Sequence, residues 1–248
     1  MYGWRGRIGL IVPSTNTVNE PDFYRHLPEG VSLHVSRMYL DQEAHRESDD
    51  LDDLEKMTAD ADRCAKSLAT ADVDVIAYGC TSGSFMDGAG HDEELEAELE
   101  AVSGVPTVST AAAVRRAMEA LDLKSVAIAT PYVEELNTRA VRFFEGVGFE
   151  VTTTDGLGID IAGSDLDRRS HGAQLPEHAY RQLAAMDLSD ADGVFLSCTN
   201  YHVTDAIEYI EADLSTPVVT SNQATLWDAL RTLDVDYSGV DLGALFER

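Results

Sequence analysis

The sequence repeats itself at one fixed offset, and this internal repeat constrains the possible fold more than any other feature. The first half contains IGLIVPSTN, which includes Pro13, and VDVIAYGCTSGS, which includes Cys80. The second half contains VAIATPYVEELN, which includes Pro131, and ADGVFLSCTNYH, which includes Cys198. The two prolines lie 118 residues apart, and so do the two cysteines. Matching segments at one common offset predict two similar lobes with the same order of strands and loops.

Short apolar runs alternate with longer amphipathic stretches along the whole chain. Most of the short runs are continuously apolar, as expected for parallel strands that are covered on both faces. Alternation of this kind predicts an α/β fold with mostly parallel sheets. The predicted strands are residues 8–12, 31–39, 73–78, 105–108, 126–129, 149–153, 193–196 and 217–220.

The stretches between the strands carry helical patterns. An apolar stripe at 3–4-residue spacing over residues 54–68 predicts one helix, with Cys64 packed inside the stripe. Thr110 precedes AAAVRRAMEAL and is expected to be the N-cap of the next long helix. Acidic residues predict a solvated helix face over residues 92–100. Further predicted helices span residues 134–144, 177–186, 204–210 and 224–230.

The repeat and the alternation together predict an α/β fold of two similar Rossmann-like lobes with mostly parallel sheets. A pseudo-two-fold axis would relate the lobes, with the active site in the cleft between them. A length of 248 residues is sufficient for two lobes that each bury a core. We predict lobes at residues 1–121 and 122–248, with the C-terminal tail packing back on the first lobe.

The charge balance excludes whole classes of partner. There are 45 Asp and Glu residues against 18 Lys and Arg, a formal net charge of −27. Nucleic acids are recognised largely through Lys and Arg at phosphates, so a nucleic-acid partner is not expected. Anionic membrane surfaces are disfavoured for the same reason. Abundant carboxylates with only three lysines suggest a halophilic protein, in which salt screens the self-repulsion.

The sequence indicates a cytoplasmic location. The first seven residues, MYGWRGR, lead directly into an apolar strand without the apolar stretch of a signal peptide. No apolar run approaches the length of a membrane-spanning helix. The three cysteines are odd in number and far apart, so a disulfide scaffold is not expected and a reducing compartment is.

Two of the cysteines, Cys80 and Cys198, each stand just beyond an apolar strand and before a predicted helix. Ligands of open parallel sheets bind beyond the carboxyl ends of the strands. A pseudo-two-fold axis would therefore place one thiol on each side of a shared ligand. Helix N-termini and loop amides are expected to lower the thiol pKa there. The alternative is that both are ordinary buried core cysteines.

The residues that follow each cysteine carry hydrogen-bond donors suited to an anion, Thr81 and Ser82 after the first and Thr199 and Asn200 after the second. Other motifs are weak or missing. Gly156-Leu-Gly158 lacks the third glycine of a dinucleotide fingerprint, and neither a phosphate-binding GxxxxGK loop nor a CxxC or HExxH zinc motif occurs. No metal site is predicted.

The chain resembles the aspartate/glutamate racemase superfamily, within the branch that contains maleate cis-trans isomerases and arylmalonate decarboxylases. The opening IGLIVPSTNTVNE resembles the start of maleate isomerases closely. Three further segments, Cys80-Thr81-Ser82, Thr130-Pro131-Tyr132 and Ser197-Cys198-Thr199, follow in the expected order and spacing. The similarity covers essentially the whole chain.

The resemblance implies a cofactor-independent isomerase of a small dicarboxylate, with maleate to fumarate as the leading case. The Cys80 thiolate would add to an alkene carbon, the C2–C3 bond would rotate as a single bond, and the adduct would collapse. Cys198 would act as the acid/base. An aspartate/glutamate- or hydantoin-type racemase would use the same two thiols as acid and base. The decarboxylases have glycine at the first site, so Cys80 argues against decarboxylation.

A protein that binds small carboxylates without turnover is the alternative from a different functional class. We also expect a homo-oligomer, either a dimer or a tetramer.

The resemblance also implies a set of substrate-binding residues. Ser14 and Asn16 in the first loop would hold a substrate carboxylate, although Asn16 is also placed for an Asx turn at the strand exit. The hydroxyl of Tyr132 could donate to a carboxylate or an enolate-like oxygen, although a surface tyrosine is the alternative. The remaining members of the set are Thr81, Ser82, Thr199 and Asn200.

One position departs from the maleate isomerase pattern. Those enzymes carry an Asp-Asn pair in the second lobe whose asparagine contacts the substrate, and here Ile161 follows Asp160. The departure leaves the identity of the acid substrate open. Arg168 or Arg169 could compensate by pairing with a carboxylate, or could simply balance surface charge.

Overall fold

The computed structural model describes residues 2–40, 50–159 and 170–248. These residues form two four-stranded, all-parallel sheets, one in each half of the chain. The strand orders are β2-β1-β3-β4 and β6-β5-β7-β8, so the second sheet repeats the first. The two-lobed α/β fold predicted from the repeat is confirmed. The strands are β1 Gly6–Pro13, β2 Val31–Met38, β3 Val75–Tyr78, β4 Thr107–Ser109, β5 Ser125–Thr130, β6 Glu150–Gly156, β7 Gly193–Leu196 and β8 Val218–Thr220.

Helices connect the parallel strands and cover the sheets. The described α-helices are α1 Asn19–His26, α2 Asp50–Thr58, α3 Ala61–Ala69, α4 Thr81–Phe85, α5 His91–Ser103, α6 Thr110–Ala120, α7 Glu134–Gly146, α8 Pro176–Ala185, α9 Ile207–Leu214 and α10 Ser221–Thr232. Short 3₁₀ turns occur at His171–Ala173, Thr204–Ala206 and Ala244–Glu247. None of the helices in the described ranges has the length and apolar character needed to cross a membrane.

Two details of the predicted helices are wrong. The stripe over residues 54–68 belongs to two helices, because Asp60 interrupts it and accepts hydrogen bonds from Arg63 and from the amide of Tyr39. The N-cap of α6 is Ser109, whose hydroxyl accepts from the amide of Ala112. Thr110 is instead the first helical residue, and its hydroxyl donates to the carbonyl of Tyr78 at 2.8 Å.

The buried strands explain why the apolar runs are continuous. Every residue of β3, β5 and β7 is buried, since these strands are flanked by other strands and covered by helices. β6 lies at the edge of its sheet and, with the sequence EVTTTDG, is mostly half-buried or exposed. Cys64 is fully buried on α3, as predicted for a packing residue.

The two lobes contact each other through helices and through the C-terminal segment. Arg116 on α6 pairs with Asp228 on α10 at 2.7 Å and with Glu96 on α5, also at 2.7 Å. Near the C-terminus, the carbonyl of Asp236 accepts a 2.7 Å hydrogen bond from Arg5 in the first lobe. A domain boundary between residues 121 and 122 stays a prediction.

Candidate active site

A cavity lies where the carboxyl ends of the two sheets face each other. Both lobes contribute to its wall, and all the residues predicted for the site except Ser14 line it. The described lining residues are Pro13, Thr15, Asn16, Leu54, Met57, Cys80, Thr81, Ser82, Tyr132, His171, Cys198, Thr199 and Asn200. The internal repeat therefore places one thiol from each half of the chain in the wall of one shared cavity.

Cys80 lies between β3 and α4 and is only 4% exposed. Three groups can donate hydrogen bonds to its sulfur, namely the backbone amide of Gly83 and the hydroxyls of Ser82 and Tyr78. These donors favour the thiolate, but burial has the larger effect and raises the pKa of Cys80 above its usual value. The expected lowering of the Cys80 pKa is therefore not found.

The sequence pattern indicates only a strand position for Tyr78, yet its hydroxyl lies beside the thiol of Cys80. The ring is fully buried at the end of β3, and the hydroxyl lies 3.2 Å from the Thr58 hydroxyl. A Cβ added at Gly83 would lie 2.5 Å from the Tyr78 hydroxyl oxygen and 3.3 Å from the Cys80 sulfur. The glycine therefore leaves the space in which this phenol and this thiol meet. A buried tyrosine hydroxyl usually has a hydrogen-bond partner, so a tyrosine at the end of a buried strand, close to Cys80 in sequence, could have indicated this contact.

Cys198 is held in an unusual backbone conformation at the corresponding position of the second lobe. Its φ is +113°, a value that non-glycine residues rarely adopt and that is common at functional sites. The backbone amide of Cys198 donates to the Ser221 hydroxyl at 3.0 Å, and its sulfur accepts from the amide of Asn200 at 3.3 Å. These bonds fix the direction in which the sulfur points.

The two thiols influence each other's ionisation. Burial raises the pKa of Cys198 to about 12. Hydrogen bonds from the Asn200 amide and the Tyr132 hydroxyl favour the thiolate and partly oppose this rise. A negative charge on Cys80 raises the Cys198 pKa further. The cavity therefore favours at most one thiolate at a time, which suits one nucleophile and one proton donor.

Tyr132 follows β5 and is 2% exposed, so the alternative of a surface tyrosine is wrong. Its hydroxyl bonds to Cys198, and its ring makes an edge contact with the ring of His171 at 5.5 Å between centroids. Burial raises the pKa of Tyr132 well above its usual value. The phenol is therefore a neutral hydrogen-bond donor at ordinary pH.

Asn16 combines the two roles considered for it. Its side-chain oxygen accepts from the amides of Val18 and Asn19 at the start of α1, as in an Asx turn. Its side-chain nitrogen donates to the Thr199 hydroxyl at 3.1 Å, across the two lobes. The amide group also faces the cavity, and its nitrogen has a second hydrogen to donate.

The remaining predicted residues mainly hold the lobes together around the cavity. The Thr199 hydroxyl donates to the carbonyl of Gly79, and the side-chain oxygen of Asn200 accepts from the amide of Thr17. Thr81 donates to the hydroxyl of Ser221 at 2.9 Å, and this same hydroxyl accepts from the Cys198 amide. Ser221 was not predicted, because it lies in another segment and only the fold brings it to the cysteine.

Ser14 is the one predicted site residue that the structure does not bring to the cavity. Its hydroxyl accepts from the amide of Leu40, and its own amide donates to the carbonyl of Met38. The Ser14 side chain therefore links the loop after β1 to the residues that follow β2. Asp160, Ile161, Arg168 and Arg169 lie outside the described residues.

Five lining residues lie outside the predicted set, and three of them, Leu54, Met57 and His171, come from other segments of the chain. Leu54 and Met57 on α2 add an apolar surface, and they were assigned to the core because they form part of a helical stripe. No motif in the sequence marks His171 as part of the site. Within the described ranges, no cluster of three or more His, Cys, Asp or Glu side chains is arranged to hold a metal ion.

Fold and site together define a class: a two-lobed α/β protein in which each lobe contributes one buried thiol to a shared cavity. The arylmalonate decarboxylase family model matches residues 8–246. A maleate isomerase from Pseudomonas putida is 32% identical over 252 residues, and the match covers 96% of each chain. The chain thus belongs to the arylmalonate decarboxylase family, in the superfamily branch predicted from its sequence.

Solved structures agree with this assignment. The Nocardia farcinica maleate cis-trans isomerase bound to TRIS has a TM-score of 0.85 at 27% identity, with 97% of both chains covered. A cysteine-to-serine mutant of the Nocardia farcinica enzyme, with a covalently bound succinylcysteine intermediate, has a TM-score of 0.82 at 26% identity over 94% of both chains. The succinylcysteine shows that a relative forms a carbon–sulfur bond at a cysteine.

Proposed function

We propose that this protein is a cofactor-independent cis-trans isomerase of a small dicarboxylate, acting on maleate to give fumarate. The observation that carries the proposal is the placement of Cys80 and Cys198 in the wall of one cavity, one from each lobe. Relatives named maleate isomerase that match this chain over nearly its full length support the choice of substrate.

The reaction would proceed by addition and elimination at the alkene. The Cys80 thiolate forms a bond to C2, and the electrons of the double bond take a proton from the Cys198 thiol at C3. The C2–C3 bond is now single and rotates. Cys198, as the thiolate, then removes a proton from C3, the double bond re-forms, and the bond between C2 and the Cys80 sulfur breaks. Each thiol ends in its starting protonation state.

The substrate carboxylates would be held by neutral donors. Asn16, Thr81, Ser82 and Tyr132 present amide or hydroxyl groups in the cavity wall. Such preorganised donors in a buried site stabilise charge that develops in a transition state more strongly than water does. The buried apolar side chains of Leu54 and Met57 would exclude water from the adduct while its bond rotates.

Proton NMR of a panel of small acids incubated with the protein tests this function. The expected result is conversion of maleate to fumarate by the wild-type chain and no conversion by Cys80→Ala. Inversion at an α-carbon, with solvent deuterium incorporated there, would indicate a racemase instead. Loss of carbon dioxide from an arylmalonate would indicate a decarboxylase, and binding of an acid without any turnover would indicate a carboxylate-binding protein.

We also propose that the protein is adapted to salt, acts in a reducing cytoplasm and assembles as a dimer or tetramer. The net charge of −27 supports the first proposal, and the three free cysteines support the second. The expectation of a dimer or tetramer is tested by light scattering coupled to size-exclusion chromatography at high KCl, where a monomeric mass would contradict it.

A further inference from the structure

His171 lies in the cavity wall, directly beside the second thiol. It begins the 3₁₀ turn His171–Ala173 and is 4% exposed. One ring nitrogen, Nε2, lies 2.9 Å from the carbonyl oxygen of Ile159. The other, Nδ1, lies 3.6 Å from the sulfur of Cys198. The ring therefore bridges a backbone acceptor and the proposed acid/base.

The partners of the ring determine where its proton sits. A carbonyl oxygen can only accept, so Nε2 carries a hydrogen and donates it to Ile159. In the neutral ring Nδ1 then has a lone pair, and this lone pair faces Cys198. A thiol is a weak donor, so the Cys198 S–H can donate to Nδ1. The tautomer follows from these contacts, since ring hydrogens are assigned from their partners.

The turn that carries His171 is packed tightly against both lobes. A Cβ added at Gly172 would lie 2.6 Å from the hydroxyl oxygen of Thr17 and 2.8 Å from the side-chain oxygen of Asn200. The first of these residues belongs to the β1 loop, and the second follows Cys198. The position of the imidazole is therefore fixed relative to the same loops that build the cavity.

Among the described residues, the other titratable groups that interact with Cys198 carry no positive charge. Cys80 in the first lobe, Tyr132 after β5 and Tyr201 beyond the cysteine loop all influence Cys198 or are influenced by it. Each of them is neutral when protonated and negative when not. Among the described residues that line the cavity, His171 alone can become a cation.

We propose that His171 is a positioning residue for Cys198, which orients the S–H bond and holds the proton that the thiol pair gives up. The role in turnover rests on the proposed isomerase function. To form the active state, Cys80 loses its proton and Nδ1 of His171 gains one, while Cys198 is a thiol both before and after. The result is a Cys80 thiolate, a Cys198 thiol and an imidazolium, with no net change in protons.

This arrangement supplies a counter-charge at each stage of the reaction. When Cys198 protonates C3 and becomes a thiolate, the imidazolium is already its hydrogen-bond partner. The charge-assisted bond stabilises the thiolate, as in other cysteines that are paired with a protonated histidine. When the thiolate later takes the proton back from C3, the imidazolium again balances the Cys80 thiolate that is released.

Titration of Cys198 without substrate tests the inference directly. In a Cys64→Ala and Cys80→Ser background, Cys198 is the only thiol, and its thiolate absorbance is followed against pH. His171→Gln keeps an amide N–H able to reach the Ile159 carbonyl but removes the base beside the sulfur. The expected result is a midpoint at least one pH unit higher than in the parent. His178→Gln is the matched control and should leave the midpoint unchanged, because the His178 ring contacts Gln174 rather than a thiol.

A second measurement needs no histidine substitution. The ¹⁵N shifts of the His171 ring report its protonation, and Cys198→Ser removes the thiolate partner. The expected result is a His171 midpoint at least one pH unit lower in Cys198→Ser than in the unsubstituted protein. A midpoint that is unchanged here, or a Cys198 midpoint that is unchanged in a folded His171→Gln chain, overturns the inference.

Turnover separates this inference from the proposed function. If maleate is isomerised, His171→Gln is expected to lower kcat at least tenfold, shift its pH profile and change KM less than threefold. If the Cys198 and His171 midpoints shift but the protein never isomerises maleate, the proposed function is wrong and the Cys198–His171 pairing is supported. If the protein isomerises maleate but these midpoints do not shift, only the pairing is wrong.

Discussion

At the scale of single residues, Cys80 and Cys198 have different surroundings that suit different tasks. Cys80 is surrounded by neutral donors, the Gly83 amide and the hydroxyls of Ser82 and Tyr78. Cys198 has a strained backbone and a histidine nitrogen beside its sulfur. The donors around Cys80 stabilise a nucleophilic thiolate, whereas a thiol beside a base can release and recover a proton. The internal repeat duplicates the scaffold, and local substitutions then distinguish the two sites.

Replacing either thiol separately should reveal the two tasks. Cys80→Ser and Cys198→Ser are each expected to lower kcat by about a thousandfold or more, because residues that act as a unit fail together. Only Cys198→Ser should accumulate an adduct, because Cys80 can still add to maleate while the proton step is slowed. Mass spectrometry of the intact protein measures the adduct, and Cys64→Ala, which removes a thiol packed in α3, is the control. An adduct in Cys80→Ser would reverse the assignment.

The Tyr78 hydroxyl is expected to contribute to the reactivity of Cys80. A hydrogen bond to a charged group contributes about 1.5–3 kcal/mol, so Tyr78→Phe should lower kcat by roughly 10- to 100-fold. The pH at which Cys80 ionises should rise, since one donor to the thiolate is lost. Thiolate absorbance in a Cys64→Ala and Cys198→Ser background measures that midpoint. Tyr180→Phe, which removes a hydroxyl that bonds to Asp213, should change neither quantity.

At the scale of secondary-structure elements, α1 of the first lobe carries a buried carboxylate that contacts the second lobe. Asp22 accepts hydrogen bonds from the Thr204 hydroxyl at 2.6 Å and from the Asn222 side chain at 2.8 Å. Asn222 also donates to the carbonyl of Thr199 in the cavity wall. Burial raises the pKa of Asp22, against the effect of these two donors. The contact between α1 and the second lobe is therefore sensitive to protonation.

The sign of that sensitivity can be tested with Asp22→Asn. The folded protein binds the Asp22 proton more tightly than the unfolded chain does, so this group's contribution to stability is greatest below the usual carboxyl pKa. It is lost as pH rises through the raised pKa of the folded state. Asp22→Asn removes this dependence, and its oxygen can still accept from both donors.

Urea unfolding of both proteins at a series of pH values measures the difference in unfolding free energy. The difference should move in favour of Asp22→Asn as pH rises from the usual carboxyl range toward neutrality. A difference that is constant with pH, or that moves in favour of the wild type, would show that the Asp22 pKa is not raised. Asp190→Asn, at an exposed carboxylate, is the control for a general charge effect.

The elements also show how far the sequence specifies the structure. The eight described strands lie where apolar runs predict them, and the pattern is strongest in β3, β5 and β7, where every residue is buried. At the break between α2 and α3, Asp60 accepts a hydrogen bond from the amide of Tyr39, which is distant in sequence. Ser109 and Thr110 are adjacent hydroxyl residues, and only the backbone geometry shows which one caps α6. Local patterns thus locate elements, while their ends depend on tertiary contacts.

The same distinction applies to the site. The cysteines and their neighbours could be predicted because they occupy matched strand ends in the repeat. His171 could not, because 27 residues separate it from Cys198 and no spacing links the two. The bond from the Leu40 amide to the Ser14 hydroxyl could not be predicted for a similar reason, since only the folded chain brings the end of β2 beside Ser14.

At the scale of the whole molecule, the net charge of −27 is expected to control stability. Like charges on a folded surface repel one another, and salt screens them over a Debye length of about 10 Å at 0.1 M and about 3 Å at 1 M. Part of this charge lies on α5, where Glu94, Glu98 and Glu100 are exposed. Unfolding separates the charges, so low salt should favour the unfolded chain.

Thermal unfolding over a range of KCl concentrations tests this expectation. The midpoint should rise steeply up to roughly 1 M KCl, beyond which the screening length is already only about 3 Å and further salt screens little more. A chain carrying Glu94→Gln, Glu98→Gln and Glu100→Gln should need less salt to reach the same midpoint, because three repelling charges are gone. Sucrose, which screens no charge, controls for general stabilisation by solutes. A midpoint that is independent of KCl, or a salt response unchanged by the three substitutions, would show that self-repulsion does not limit this fold and would remove the physical basis for calling it salt-adapted.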